Sequence, residues 1–264
     1  MARILITDGM DKSAVAQLQA NGHEVVEQFY EPDQLGAALR DFDAVVVRSA
    51  TKVRANHIDE AKGGKLKLII RGGVGVDNID VKYAEENGIK VMNTPRASSQ
   101  SVAELAMAHM FSCARFIPVA GHTMREGKWE KKAYGKGIEL QGKTLGIIGF
   151  GRIGQHLGVM AKAIGMKVVA YDPYLPAEIF AKNEATSMSI AEVCEVADFV
   201  TIHMPLNDET RNLFNAESIS KMKPDAVVLN MARGGIVNEK DMYEALVAGK
   251  IGGYATDVME NEVA

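Results

Sequence analysis

Short runs of β-branched residues alternate with amphipathic stretches along almost the whole chain, and this alternation constrains the fold more than any other feature. The spacing predicts strands over Arg3–Thr7, His23–Gln28, Ala44–Arg48, Leu66–Arg71 and Lys90–Asn93, with helical segments such as Ser13–Ala20 and Gln34–Arg40 between them. Strand then helix, repeated, predicts parallel strands joined by right-handed crossovers with helices on both faces. Ser98–Gly127 reads differently, as one long helix that serine caps at its start and Pro118 kinks or divides. The alternation then resumes, with strands over Thr144–Gly149, Lys167–Tyr171, Phe199–His203, Val227–Asn230 and Tyr254–Val258. We read an α/β protein of two doubly wound parallel-sheet lobes, residues 1–97 and residues 98–264, the second beginning with the long helix.

The 264 residues suit one large domain or two compact ones. Hydrophobic residues (47%) and charged residues (24%) stand in the balance of a chain that builds a core, which excludes a disordered or fibrous protein. Lys plus Arg number 30 against 34 Asp plus Glu, so no overall positive charge points to nucleic acid or to an anionic membrane; a local basic pocket could still hold a small anion. Cys113 and Cys194, far apart and outside any CxxC pair, fit a reducing compartment and argue against a disulfide framework or a cysteine zinc site, so no metal is expected. Asp8 comes too early for a signal peptide. The most apolar run, Leu105–Ala120, is interrupted by His109, Ser112 and Arg115 before it reaches the roughly 18 residues of a membrane span. A cytoplasmic protein is expected.

Gly149, Gly151 and Gly154 stand in GxGxxG spacing directly after an apolar strand and at the start of a helix that runs to about Ala163. Gly149 allows a tight turn, Gly151 lets backbone approach a pyrophosphate, and Gly154 lets the helix pack closely on the strand. The free N–H groups and dipole at the helix start attract phosphate charge. Asp172 closes the next strand 18 residues beyond Gly154, where a carboxylate binds both ribose hydroxyls of an adenosine and repels a 2′-phosphate. This arrangement predicts a bound NAD rather than NADP.

Further stretches occur in a recognisable order: Arg48–Val53, Gly73–Asp80, Met92–Pro95, Ser101–Leu105, Gly127–Glu130, the glycine loop itself, His203–Leu206 and Asn230–Val237. Together they span nearly the whole chain, which resembles the D-isomer-specific 2-hydroxyacid dehydrogenases, and among them the branch that oxidises 3-phosphoglycerate. The resemblance implies a flavodoxin-like substrate lobe from the N-terminal part plus a short C-terminal return, a Rossmann cofactor lobe between them, and an active site in the cleft between lobes. It implies that Arg233 is the catalytic arginine, which grips the substrate carboxylate and polarises the carbonyl that forms. It makes Glu262 the acid that tunes a histidine base, with Glu260 a near neighbour, and sets Asp257 at the nicotinamide carboxamide.

On the cofactor side the resemblance places Arg152 and Ile153 at the pyrophosphate, Met204 beside the adenosine, and Met231 and Ala232 near the nicotinamide ribose. On the substrate side, backbone N–H groups of Val74 and Gly75 can cradle a carboxylate. Arg48 and Arg71, at predicted strand ends, could be solvated surface cations, but the resemblance turns them toward a substrate phosphate. The family's histidine lies after the glutamate, and the sequence given ends two residues past Glu262. None of His23, His57, His109, His122, His156 and His203 stands in a matching context, so this form is expected to lack the base and the C-terminal return. The implied function is NAD-dependent oxidation of 3-phosphoglycerate. The alternatives are the same chemistry on glyoxylate, hydroxypyruvate or D-lactate, or an NAD-binding interaction module without catalysis. A homodimer through the Ala- and Met-rich Ser98–Gly127 region is also implied.

Overall fold

In the computed structural model, which describes residues 1–261, the chain divides into two compact units, Met1–Ser98 and Ser99 onward. The first unit carries β1 (Arg3–Ile6), α1 (Lys12–Ala20), β2 (Glu24–Glu27), α2 (Pro32–Leu39), β3 (Ala44–Val47), α3 (Ala55–Ala61), β4 (Leu68–Arg71), α4 (Val81–Glu86) and β5 (Lys90–Asn93). Its five strands are all parallel, in the order β2-β1-β3-β4-β5. Successive side chains of a strand point to opposite faces, and here both faces are apolar. Leu5, Val45, Val47 and Ile69 pack on one side against Leu35, Leu39 and Ile58, while Ile4, Ile6, Ala44 and Val46 pack on the other around Val15. Each fully buried Val, Leu or Ile among them contributes about 1.5–3 kcal/mol.

The second unit opens with α5 (Ser99–Arg115) and α6 (Ile117–Arg125). It continues with β6 (Thr144–Ile148), α7 (Arg152–Ala163), β7 (Lys167–Tyr171), α8 (Ala177–Lys182), β8 (Thr186–Ser187), α9 (Ile190–Val196), β9 (Phe199–Ile202), α10 (Ala216–Ser220), β10 (Val227–Asn230), α11 (Glu239–Val247) and β11 (Gly253–Thr256). The six strands are parallel in the order β11-β10-β9-β6-β7-β8, the doubly wound order of dinucleotide-binding sheets. One face holds Leu145, Ile147, Phe199 and Leu229 under α5 and α7; the other holds Ile148, Val200, Ile202 and Val228 under α9–α11. The two sheets match the flavodoxin-like and Rossmann expectations.

Two local details refine these expectations. The segment read as one helix over Ser98–Gly127, kinked or divided at Pro118, is divided into two helices bent by 65°. The reversal sits at Phe116, in the left-handed region at φ 56°, ψ 29°. Pro118 lies in the first turn of α6, where a missing N–H costs nothing, so of a kink and a division the chain takes the division: the proline starts a new helix. The strand β8 also went unpredicted, because two residues carry no periodicity. No single helix among the described residues is long and apolar enough to cross a membrane.

Candidate functional site

Because all six strands of the second sheet run parallel, the residues following β6, β7, β9, β10 and β11 share one edge. The chain changes direction across this sheet between β6 and β9, and ligands of such sheets bind at that crevice. Gly149 follows β6 there with φ +94°, and its N–H donates to Tyr171 O at 2.8 Å. A Cβ at this position would lie 2.7 Å from His203 O and 2.9 Å from Met204 Cγ, so only glycine lets the two strand ends meet. A Cβ on Gly154 would stand 2.5 Å from Gly149 O, which accounts for the tight seat of α7 on the loop.

Gly151 is the contrary case, with nothing within 4 Å of an added Cβ. No side chain caps α7, so its first-turn N–H groups are left for an anion, with exposed Arg152 at the first helical position and half-buried Ile153 packed on the core behind. Asp172, after β7, accepts the Phe150 N–H through Oδ2 at 2.9 Å and the Tyr174 N–H through Oδ1 at 3.0 Å. The acid is thereby tied to the glycine loop before any ligand arrives. Open space over Gly151, uncapped amides and a fixed carboxylate one strand away are what a dinucleotide requires, and these residues fit one.

The loop after β10 is organised by Asn230, whose side chain is almost wholly buried. Its Nδ2 donates to Arg233 O at 2.9 Å and its Oδ1 accepts the Ala232 N–H at 3.1 Å. Met231 and Ala232 are buried in this loop. Arg233 is half-buried, with Nη1 donating to Ala232 O at 2.6 Å. After β11, Asp257 is exposed and its N–H reaches Asn230 O at 3.2 Å, so both strand ends hang on the same asparagine. Glu262 lies outside the described residues. His203 packs at the end of β9 with Nε2 2.9 Å from Thr201 Oγ1, while its Nδ1 is buried with no partner among the described residues. Burial pushes its pKa down to about 4, so the ring stays neutral.

Arg48, Arg71, Val74 and Gly75 occupy the corresponding edge of the first sheet, at the ends of β3 and β4. Arg48 is exposed. The Arg71 guanidinium lies against the glycine bend: a Cβ on Gly73 would sit 1.1 Å from its Nη1. Val74 is exposed, and its carbonyl accepts from Asn93 Nδ2 at 2.6 Å, while Thr94 N–H holds Gly73 O at 3.0 Å. The N–H groups of Val74 and Gly75 meet no acceptor among the described residues. Beside Arg48 and Gly72 an open depression of about 530 Å³ is lined by Gly9, Met10, Asp11 and Thr94.

Sequence reasoning passed over Asn230, Asn93, Asp8 and Asn78. Three of them lie inside the quoted motifs and Asp8 stands two residues past β1; Asn93 and Asn230 close β5 and β10, so for those two the available signal was a short polar side chain at a strand end, whereas Asn78 lies in a turn.

The family profile described as "D-isomer specific 2-hydroxyacid dehydrogenase, NAD binding domain" matches residues 107–264. The chain is 47% identical over 264 residues to a D-3-phosphoglycerate dehydrogenase of Methanocaldococcus jannaschii, covering 99% of this chain and 50% of that one. It is also 47% identical over 262 residues to a hydroxypyruvate reductase of Thermotoga maritima, covering 98% of this chain and 83% of the other. Among solved structures, an acyclic imino acid reductase in complex with NADPH and D-Arg superimposes with a TM-score of 0.88 at 28% identity, covering 98% of this chain and 84% of that one. The chain spans about half the length of the phosphoglycerate dehydrogenases it matches. A profile matched over more than half of the residues, and relatives at this identity along the whole chain, identify it: the chain belongs to the D-isomer specific 2-hydroxyacid dehydrogenase family.

Proposed function

We propose that this chain binds NAD and a phosphorylated 2-hydroxy acid, and belongs to an enzyme that oxidises 3-phosphoglycerate to 3-phosphohydroxypyruvate. The observation that carries the substrate is the pair Arg48 and Arg71, at the ends of adjacent strands and beside a glycine bend with open amides. Two guanidiniums suit a phosphate dianion, and the Val74 and Gly75 N–H groups suit the carboxylate. NAD is assigned because the fixed Asp172 carboxylate accepts ribose hydroxyls and repels a 2′-phosphate. The pyrophosphate belongs over Gly151, Arg152 and Ile153, with Met204, Met231, Ala232 and Asp257 along the same edge.

Oxidation removes a hydride from C2 and a proton from its hydroxyl, leaving a ketone. The nicotinamide supplies the hydride acceptor. Arg233 binds the substrate carboxylate and stabilises negative charge on the oxygen as its proton departs. The proton needs a base; the half-buried His203, its pKa pushed down to about 4, is too weakly basic, and the resemblance assigns that role to a histidine in the family's segment after the glutamate. The apolar side chains left exposed on α6 and next to it, Phe111, Ile117, Val119 and Met124, support a homodimer, whereas Ala103, Ala106, Met107 and Met110 of α5 are spent on the chain's own core.

A second reading, the unphosphorylated acid, is favoured by the hydroxypyruvate reductase relative at the same identity. Calorimetric titration of the NADH complex with 3-phosphohydroxypyruvate and with hydroxypyruvate separates the two. The phosphorylated acid should bind at least about tenfold tighter, and Arg48→Ala and Arg71→Ala should each erase that advantage. Equal affinities that neither variant changes would transfer the assignment to the unphosphorylated acid.

A further inference from the structure

The first sheet changes direction between β1 and β3, and a single carboxylate bridges that crevice. Asp8, two residues past β1, accepts the Arg48 N–H through Oδ2 at 2.6 Å and the Thr51 N–H through the same oxygen at 3.0 Å. Its Oδ1 accepts the Thr51 hydroxyl at 2.5 Å, and that hydroxyl lies 2.8 Å from Thr7 Oγ1. From the opposite side, Asn78 Nδ2 donates to the carbonyls of Arg48 and Thr51, both at 2.7 Å. Residues 48–51 form no helix or strand, so side chains reached from 30 and 40 positions away satisfy the backbone of Arg48 at both its N–H and its C=O.

A loop whose backbone is fixed on both sides delivers its side chain from a fixed origin. Thr51 is buried, whereas Arg48, three residues earlier, is exposed beside the depression at Gly9 and Gly72. We propose that Asp8 and Asn78 are positioning residues that hold the Arg48 backbone so that its guanidinium meets the anionic end of the substrate; this rests on the phosphorylated-acid reading. Asp8 is suited to the task at neutral pH. Burial works to raise its pKa, but the hydrogen bonds from Thr51, Arg48 and Thr7 outweigh it and keep the carboxyl below its ordinary value. Its charge is spent on those donors, so it does not stand as a bare anion beside a bound phosphate.

The test uses the 264-residue chain with NADH bound and calorimetric titration of 3-phosphohydroxypyruvate, comparing wild type with Asp8→Ala, Asp8→Asn, Asn78→Ala, Arg48→Ala and the Asp8→Ala/Arg48→Ala pair. Asp8→Ala should weaken the acid about tenfold or more, since a misplaced contact of this kind costs that much, and leave NADH affinity unchanged. Asp8→Asn keeps one acceptor oxygen and should lose less; Asn78→Ala should resemble Asp8→Ala. In the Arg48→Ala background Asp8→Ala should add almost nothing, because the side chain it positions is gone. A purely structural role would lower the melting temperature and cost the same affinity in both backgrounds, which overturns the proposal, as does wild-type affinity in Asp8→Ala. If Arg48→Ala weakens the acid and Asp8→Ala does not, the proposal alone falls. If Arg48→Ala changes nothing, or the wild type binds no acid, the substrate reading falls and takes the proposal with it.

Discussion

Replacing Asp172 by alanine removes both carboxylate oxygens, which hold the Phe150 and Tyr174 N–H groups and are also the acceptors offered to the cofactor. The Phe150 N–H, 2.9 Å from Oδ2, loses its partner, and an N–H left unsatisfied while partly buried costs about 1–3 kcal/mol; the exposed Tyr174 N–H, at 3.0 Å, turns to water. A ribose hydroxyl donating to a carboxylate contributes about 1.5–3 kcal/mol, so NADH should bind about ten- to a hundredfold more weakly. For NADPH a second quantity enters. A 2′-phosphate charge about 4 Å from the carboxylate is repelled by about 4 kcal/mol at an effective dielectric constant of 20, and solvent and salt reduce this to about half. The NADH-over-NADPH preference should therefore close by at least about tenfold in Asp172→Ala. Asp172→Asn keeps one acceptor oxygen for the Phe150 N–H but loses the charge and the Tyr174 bond, so it should narrow the preference with a smaller drop in melting temperature than Asp172→Ala. Calorimetric titration of both cofactors into all three proteins reads these quantities. A dissociation constant for NADH within about threefold of wild type, together with an unchanged preference, would refute the role given to this acid and with it the NAD assignment.

Burial of His203 makes a separate pH prediction. Its folded pKa, near 4, lies below the 6.5 of the unfolded chain, so unfolding takes up a proton between those values and stability falls as pH drops through that window. At 1.36 kcal/mol per pH unit the loss is at most about 3 kcal/mol. Urea titrations from pH 7 to 4 should show it, and His203→Asn should flatten the slope; equal slopes would exclude this origin. Asp8 and Asp198, whose carboxyls are held below the ordinary value by hydrogen bonds that outweigh burial, lose their contribution only at lower pH, as their folded values are crossed. For the dimer, sedimentation of the wild type should give twice the chain mass at micromolar concentration, with Ile117→Lys shifted to the monomer. A wild-type monomer throughout, or an insensitive dimer, would remove α6 from the interface.

Ten of the eleven strands among the described residues were legible as short apolar runs, because strand periodicity and the turn residues after it act over a few neighbouring positions. Parallel direction followed from the intervening helices, and with it the convergence of Gly149, Asp172, Arg233 and Asp257 on one sheet edge. The residues of the glycine loop announced their role because each answers a local steric demand, as the close approaches at Gly149 and Gly154 show. Strand order was different. That β3 lies beside β1, and β9 beside β6, is decided by which apolar faces cover one another, and nothing in the local pattern states it. The consequences of that order were equally hidden: Asp8 can hold Arg48 only because β1 and β3 are neighbours, and Asn230 can hold the segment after β11 only because β10 and β11 are. The reversal at Phe116 belongs with them, since proline is compatible with both a kink and a fresh start and the surrounding packing chooses. Local sterics wrote the elements and the cofactor loop into the chain, whereas hydrogen bonds between residues 30 and 40 positions apart exist only once the sheets have assembled.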